Sequence, residues 1–435
     1  MDRNLKSRLR LIRENGLYPA AVKTTPQGTG NNKIVDASWP EWTIAGFKLL
    51  KRKISFELKA KIPLSFSKSL ALLVPDIRRL GRIPSPGELV FFDLETTGLS
   101  GGAGTIAFLA AFGRFAVSRE NDVIEDTSPG KVRLDITQYL LLDYPGETDF
   151  IETAVKEFSV SLMLSAKNND ASRLPVVVSF NGKCFDSQIL KTRCLMNGIM
   201  VPGYHHIDLL HPARRLWKNK LPDCSQATIE VSVLGIDRTG DVSGAMAPEI
   251  WFSYLKTGNN RELLSVCDHN ARDITGLASL FLCLGEIAAD PFESRNRFHL
   301  DEEALAITWT ETLKKFPGFF VDEENIKGEL LLKHAANNGC YRAAFMLALD
   351  YFRKDRIAEG RHLMKKTAAD NSCQGSIRAA AFKSLAMDAE WRLGDLPLAL
   401  EYTSSALAIL DISGSLRKEL EGRQLRLEGK IGSRN

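Results

Sequence analysis

The chain predicts an α/β domain, a mixed sheet flanked by helices, followed by an all-α domain of helical hairpins. Three observations predict it. Between about residues 83 and 290, short apolar strands alternate with helically spaced stretches, and two of the strands end in clusters of polar residues. From about Ala304 onward the pattern is helical only. In that part, Phe345 to Ala369 and Phe382 to Leu410 echo each other at a spacing of roughly forty residues, with small residues at the crossings, as tetratricopeptide-type hairpins do. The Trp-Leu-Gly opening of such repeats is incomplete here.

The bulk numbers fit this division. A chain of 435 residues exceeds one ordinary core, and 44% apolar with 25% charged residues excludes a largely disordered chain. Seven cysteines, widely spaced and without a C-x-x-C pair, argue against a disulfide framework and a zinc knuckle. No apolar run is long enough for a membrane helix and no hydrophobic signal core opens the chain, so a cytoplasmic protein without a membrane partner is expected. The net charge of +4 hides an asymmetry: residues 1–82 hold 17 Lys+Arg against 6 Asp+Glu, leaving 40 against 47 in the rest. A basic arm beside an acidic body suits a nucleic-acid partner, and equally a solvated face.

Taken in order, residues 3–14 predict a short basic helix and 17–42 a linker rich in Pro, Gly, Thr and Asn, so that 1–82 reads as an arm and linker. The KLLKRK cluster within 47–61 has no clear state. Leu89 to Phe92 predict a buried strand, followed by Asp93 and Glu95, then a turn at Thr96-Thr97-Gly98. The SGGAGT run lacks a Gly-Lys-Ser/Thr ending and reads as a hairpin turn. Strands follow at Ile106 to Phe115 and Arg133 to Leu142, giving a three-strand meander, with a crossover helix from Gly146 to Ser165. Pro175 to Phe180 is a second buried strand, ending in Asn181-Gly182-Lys183-Cys184-Phe185-Asp186. A helix from Ser187 to Met196, a strand near Tyr204 to Ile207, helices at 225–234 and 247–257, and a long helix from Arg261 to Glu286 complete the domain.

Asp93 and Glu95 stand two apart, so in a strand they share a face. Such charge calls for a hard divalent cation and a phosphate-bearing substrate, although two surface acids at a strand end satisfy the same spacing. Asp186 and Asp273 add two acids from later segments, and the four-residue step from His269 to Asp273 places both on one helix face. Four carboxylates from three segments can converge on a pair of metal ions that cleave a phosphodiester, with His269 as proton acceptor. His205, His206 and His211 near Asp208 suggest zinc only weakly, because the acid set is all oxygen. Asp208 can support the site from behind.

FFDLETTGL, FNGKCFDSQIL and HNARDITGL, together with IDLLHPARRLWK and the GGAGTIAFL hairpin, resemble the three exonuclease motifs of the DEDD branch of the RNase H-like superfamily, in particular the YprB-type RNase H-like family, across roughly 88–285. The resemblance implies an RNase H-like fold and a metal-dependent 3′–5′ exonuclease acting on DNA or RNA. It implies that Asp93, Glu95, Asp186 and Asp273 hold two Mg²⁺ or Mn²⁺ ions, with Asn181 a nearby polar group. Thr96, Lys183, Arg214 and Arg215 complete the candidate substrate contacts, Trp217 being expected to pack inward. One departure stands: exonucleases of this group place Tyr four or His five residues before the last Asp, whereas His269 stands four before Asp273. Its roles as base and as a helix-surface histidine both stay open. The rival to an enzyme is a non-catalytic nucleic-acid-binding or scaffold protein using the basic arm and the helices at 300–435, which in either case can dock a protein partner.

Overall fold

The computed structural model describes residues 39–59, 66–98, 104–116, 126–128, 131–165 and 174–433. Its centre is an eight-stranded mixed sheet: β1 (Trp42–Gly46), β2 (Leu49–Lys59), β3 (Leu89–Thr96), β4 (Ala107–Phe115), β5 (Asp126–Ser128), β6 (Lys131–Leu141), β7 (Val176–Ser179) and β8 (His205–Asp208). The order is β1-β2-β6-β4-β3-β7-β8, with β5 paired on β6. The first five on this path run antiparallel to their neighbours, and β3, β7 and β8 are mutually parallel. The expected meander is β3-β4-β6. The short Val176–Ser179 strand is β-branched and fully buried, as a parallel strand covered on both faces must be.

Alternation along β3 divides the core. Leu89 and Phe91 point into one apolar cluster, Val90, Phe92 and Leu94 into another on the opposite face. The crossover helix α3 (Glu147–Ser165) covers the second face with Phe150, Ile151, Ala154 and Phe158. The longest helix of the domain, Arg261–Ala289, contributes Leu263, Val266 and Cys267 to this second cluster and Ile274, Leu277 and Phe281 to the first. Residues 269–273 therefore fall where that helix passes from one core to the other.

Two expectations are corrected. The region 1–82 is not arm and linker as far as it is described: β1 and β2 join the sheet, β2 pairing with β6 over eleven residues from Leu49↔Leu141 to Lys59↔Lys131. Helices α1 (Leu70–Leu73) and α2 (Pro75–Leu80) then bury Leu70, Leu72 and Ile77 in the first core. The KLLKRK cluster starts β2, and its charges hid the strand because Arg52 turns inward to polar partners. The basic helix at 3–14, the linker up to residue 38 and the glycine turn at 99–103 lie outside the described residues. Second, β3 continues to Thr96, so Asp93 and Glu95 sit within the strand rather than after it.

Beyond the long helix the chain is helical, from Glu302–Lys315 through Asp322–Asn337, Tyr341–Arg353, Ile357–Ala369, Gly375–Asp388 and Leu396–Leu407 to Gly414–Gly432. The expected breaks are present, with Asp355 and Gly394 left-handed at φ 58° and 68°. This helical domain is not a separate body: Trp309, Leu331, Leu332, Ala343 and Leu347 share the apolar cluster of Leu70, Phe91 and Phe281. Trp217 also packs inward, its indole donating to the Phe298 carbonyl at 2.8 Å.

Candidate active site

The polar site gathers on the face of β3 that bears Phe91. Asp93 and Glu95 follow Phe91 at steps of two and so face the Arg261–Ala289 helix, which is packed there by Ile274 and Phe281. Opposite Asp93 in the ladder is Ala111, whose small side chain leaves room. Asp186 comes from the neighbouring parallel strand β7, at the first position of the helix Asp186–Met196. A carboxylate there meets the positive end of the helix, and ligand sites gather at this edge of parallel sheets.

The charges of Asp186 and Asp273 bear on both Asp93 and Glu95. Burial first, then the charges of Asp186, Asp273 and Glu95, drive the Asp93 carboxyl well above its usual range. Burial, Asp273 and Asp186 do the same to Glu95, while burial pushes Asp186 up to about 7. Glu95, His269 and Asp273 offer ligand atoms that all lie within 4.8 Å of one another, and this is the one group of three metal-capable side chains among the described residues. Buried, repelling carboxylate oxygens are the donor set for a hard divalent cation, whose charge offsets both burial and repulsion. The residues fit Mg²⁺ or Mn²⁺.

Several groups that orient this cluster went unseen in the sequence. Asn270, fully buried, donates to Asp93 Oδ2 at 2.7 Å and accepts from Gln138 Nε2 at 2.9 Å. Gln138 also donates to the Cys267 carbonyl at 2.7 Å and accepts from Arg52 Nε at 2.9 Å, and Arg52 in turn meets Asp268 at 2.9 Å. Asp93 is thus held by a relay through β6 and β2. Asp241 lies 3.0 Å from His269 Nδ1, and His269 Nε2 is 3.3 Å from Asp273 Oδ2. Burial of Asp241 is outweighed by His269 and Arg238, which hold its carboxyl below the usual range. Only Asn270 left a trace in the sequence, inside the HNARD element; Gln138, Arg52 and Asp241 lie in no motif.

Residues 90–284, which include all four acids, match the family model described as the RNase_H superfamily. This stretch carries an RNase H-like fold. Over 343 residues the chain is 29% identical to the uncharacterized protein YprB of Bacillus subtilis (strain 168), covering 78% of this chain and 73% of that protein. That likeness is longer than the RNase H domain and extends into flanking sequence.

Around the RNase H site the remaining candidates divide. Asn181 adopts a left-handed φ of 61° and its amide donates to Asp208 Oδ1 at 2.8 Å. Asp208 also accepts from the amides of Leu210 at 3.1 Å and Lys183 at 3.2 Å, so it braces the loop that delivers Asp186. Gly182 is required in that loop, since a Cβ there would lie 2.4 Å from Ser179 Oγ and 2.9 Å from Asp186 Oδ2. Lys183 is engaged by Asp76 at 2.5 Å, away from the acids. Thr96 is buried and its hydroxyl bonds the Gly98 carbonyl at 2.9 Å, a turn contact rather than an open substrate group. Arg214 and Arg215 are exposed, and Arg215 lines a cavity of about 540 Å³ against the helical domain, bordered by none of the four acids. His206, with Ser179 Oγ at 2.7 Å and Ser187 Oγ at 3.0 Å, is held down at about 4 by burial, and His205 and His211 are peripheral.

Proposed function

We propose that the chain is a divalent-metal-dependent nuclease, a 3′–5′ exonuclease hydrolysing phosphodiester bonds of DNA or RNA. The observation that carries the reading is the convergence of Asp186 and Asp273 on Asp93 and Glu95, whose carboxyls their charges help to raise, within the stretch that matches the RNase_H superfamily model. Such repulsion is relieved by a proton or by a bound cation, and raised carboxyls gathered at one point mark functional sites more often than structural ones. Mg²⁺ or Mn²⁺ held by these four acids would supply Lewis acidity toward a phosphate oxygen.

The protein groups do the rest. Asn270 fixes the Asp93 carboxylate through Oδ2, leaving Oδ1 free to turn toward the substrate side. Asp241, at Nδ1, sets the His269 ring so that Nε2 faces the cluster, and in that tautomer Nε2 can take a proton from the attacking water. The departure from the usual spacing is then accommodated by the loop carrying Asp241, not by the helix itself. The helical domain exposes Trp391 and Leu425, apolar groups suited to a protein partner.

End-labelled single- and double-stranded DNA and RNA, incubated with the protein and Mn²⁺, test the reading. Shortening from the 3′ end that chelator abolishes supports it. Cleavage of circular or end-blocked substrate at the same rate would replace exonuclease by endonuclease, and intact substrate under every condition would remove the enzyme.

A further inference from the structure

Arg238 reaches into the acid cluster from the loop after Glu230–Leu234. Its guanidinium is divided among three carboxylates: Nε meets Glu230 Oε2 at 2.6 Å, Nη1 meets Asp241 Oδ2 at 2.7 Å, and Nη2 pairs with Asp273 Oδ1. The side chain is 10% exposed and that of Glu230 1%. Glu230 is itself clamped, because Gln226 Nε2 bridges Glu230 Oε1 at 2.8 Å and the Asp273 carbonyl at 2.7 Å. The long helix carries Gly276 where Glu230 enters, and a Cβ there would fall 1.7 Å from Glu230 Oε1. A planar fork gripped in this way does not swing out as a surface arginine does. Burial opposes its charge, but Asp273 and Glu230 outweigh burial and keep the guanidinium cationic.

The consequence falls on Asp273. Its Oδ1 belongs to Arg238, while its Oδ2 lies by His269 Nε2, and Asp273 with His269 forms the group that includes Glu95. We propose that Arg238 is a resident cation of the cluster, standing in for one of the two ions that the motif resemblance implies, so that the site takes up a single divalent ion where Glu95, His269 and Asp273 come together. A second divalent charge would meet a fixed guanidinium and would find one oxygen of Asp273 already committed. This rests on the metal-binding reading above and fixes its stoichiometry.

Titration of the full chain with Mn²⁺, with free ion read by electron paramagnetic resonance and no nucleic acid present, decides it. The wild type is expected to bind one Mn²⁺ tightly per chain. Arg238→Lys keeps the charge and should also bind one. Arg238→Met combined with Glu230→Gln, which avoids stranding a buried carboxylate, should bind a second ion or hold the first at least tenfold more tightly. A merely structural arginine would give the opposite sign, weaker binding on its removal. Two ions of comparable affinity on the wild type, or unchanged binding in the double variant, overturn the resident cation while leaving the nuclease reading intact. No uptake by the wild type overturns both. Should the double variant not fold, the wild-type stoichiometry still separates one ion from two.

Discussion

Buried acids in two regions of this molecule are treated in opposite ways. In the helical domain Glu390 meets Arg426 Nη2 at 2.8 Å, Lys430 at 2.9 Å and Arg423 at 2.7 Å, and the hydrogen bonds from Arg426, aided by Lys430, hold its carboxyl down at about 2. Glu390 is hidden only beneath these long basic side chains, its own side chain 2% exposed. In the RNase H-like domain Asp93, Glu95 and Asp186 are driven upward, by burial before all else. Where charge is neutralised by the chain, the acid serves the fold. Where it is left in excess, the fold tolerates strain that a bound cation would remove.

The sharpest way to break this contrast is Asp93→Asn. It is expected to lower Mn²⁺-dependent digestion by on the order of 10³-fold or more, yet to raise the melting temperature of the metal-free protein by a few degrees, because one repelling charge has gone. Asp186→Asn should behave alike. A nuclease assay beside calorimetry checks both halves, and a variant that melts lower while digesting normally would reverse the assignment.

His206 provides an intermediate case, a half-buried group with uncharged hydroxyl partners. Its folded value of about 4 lies below the ordinary 6.5, so its contribution is complete above pH 6.5 and is lost as pH falls toward 4. The loss amounts to up to about 3 kcal/mol. His206→Gln should flatten that limb of a urea-denaturation series measured from pH 7 to pH 4; an unaltered slope would show that the ring titrates freely.

Asn270→Ala tests whether orientation matters within the strained cluster. Losing this side-chain donor to Asp93 Oδ2 should reduce activity by roughly 10- to 100-fold with only a small change in melting temperature. The smallest effect is expected at the relaxed end of the comparison. Glu390→Gln should cost about 1–2 kcal/mol at neutral pH and leave activity alone. Because the folded value lies below the ordinary 4.5, that deficit should be full above pH 4.5 and fade as pH falls toward 2 in a chemical-denaturation series.

The residues that form the cluster were legible in the sequence because each lies on a locally periodic element: Asp93 and Glu95 after an apolar run, Asp186 at the end of PVVVSF and its loop, Asp273 one helical turn beyond His269. The substrate candidates beside them were less so. Lys183 and Thr96 looked available by position, but Asp76 and the Gly98 carbonyl engage them. Their partners stand where no local pattern points.

The sequence alone thus determined most strands and helices from β3 onward, the four acids as candidates and the change to an all-helical carboxyl-terminal part, since periods of 2 and 3.6 residues report burial one segment at a time. Only tertiary structure decided that β2 belongs to the sheet, that Arg52 and Gln138 reach Asp93 through Asn270, and that Arg238 and Asp241 sit among the acids. These contacts join residues 28 to 177 positions apart, as Asp241 to His269 and Asn270 to Asp93 do. Charge and hydrogen bonding act through space, and nothing in the spacing of neighbours along the chain records which distant partner will neutralise a buried group.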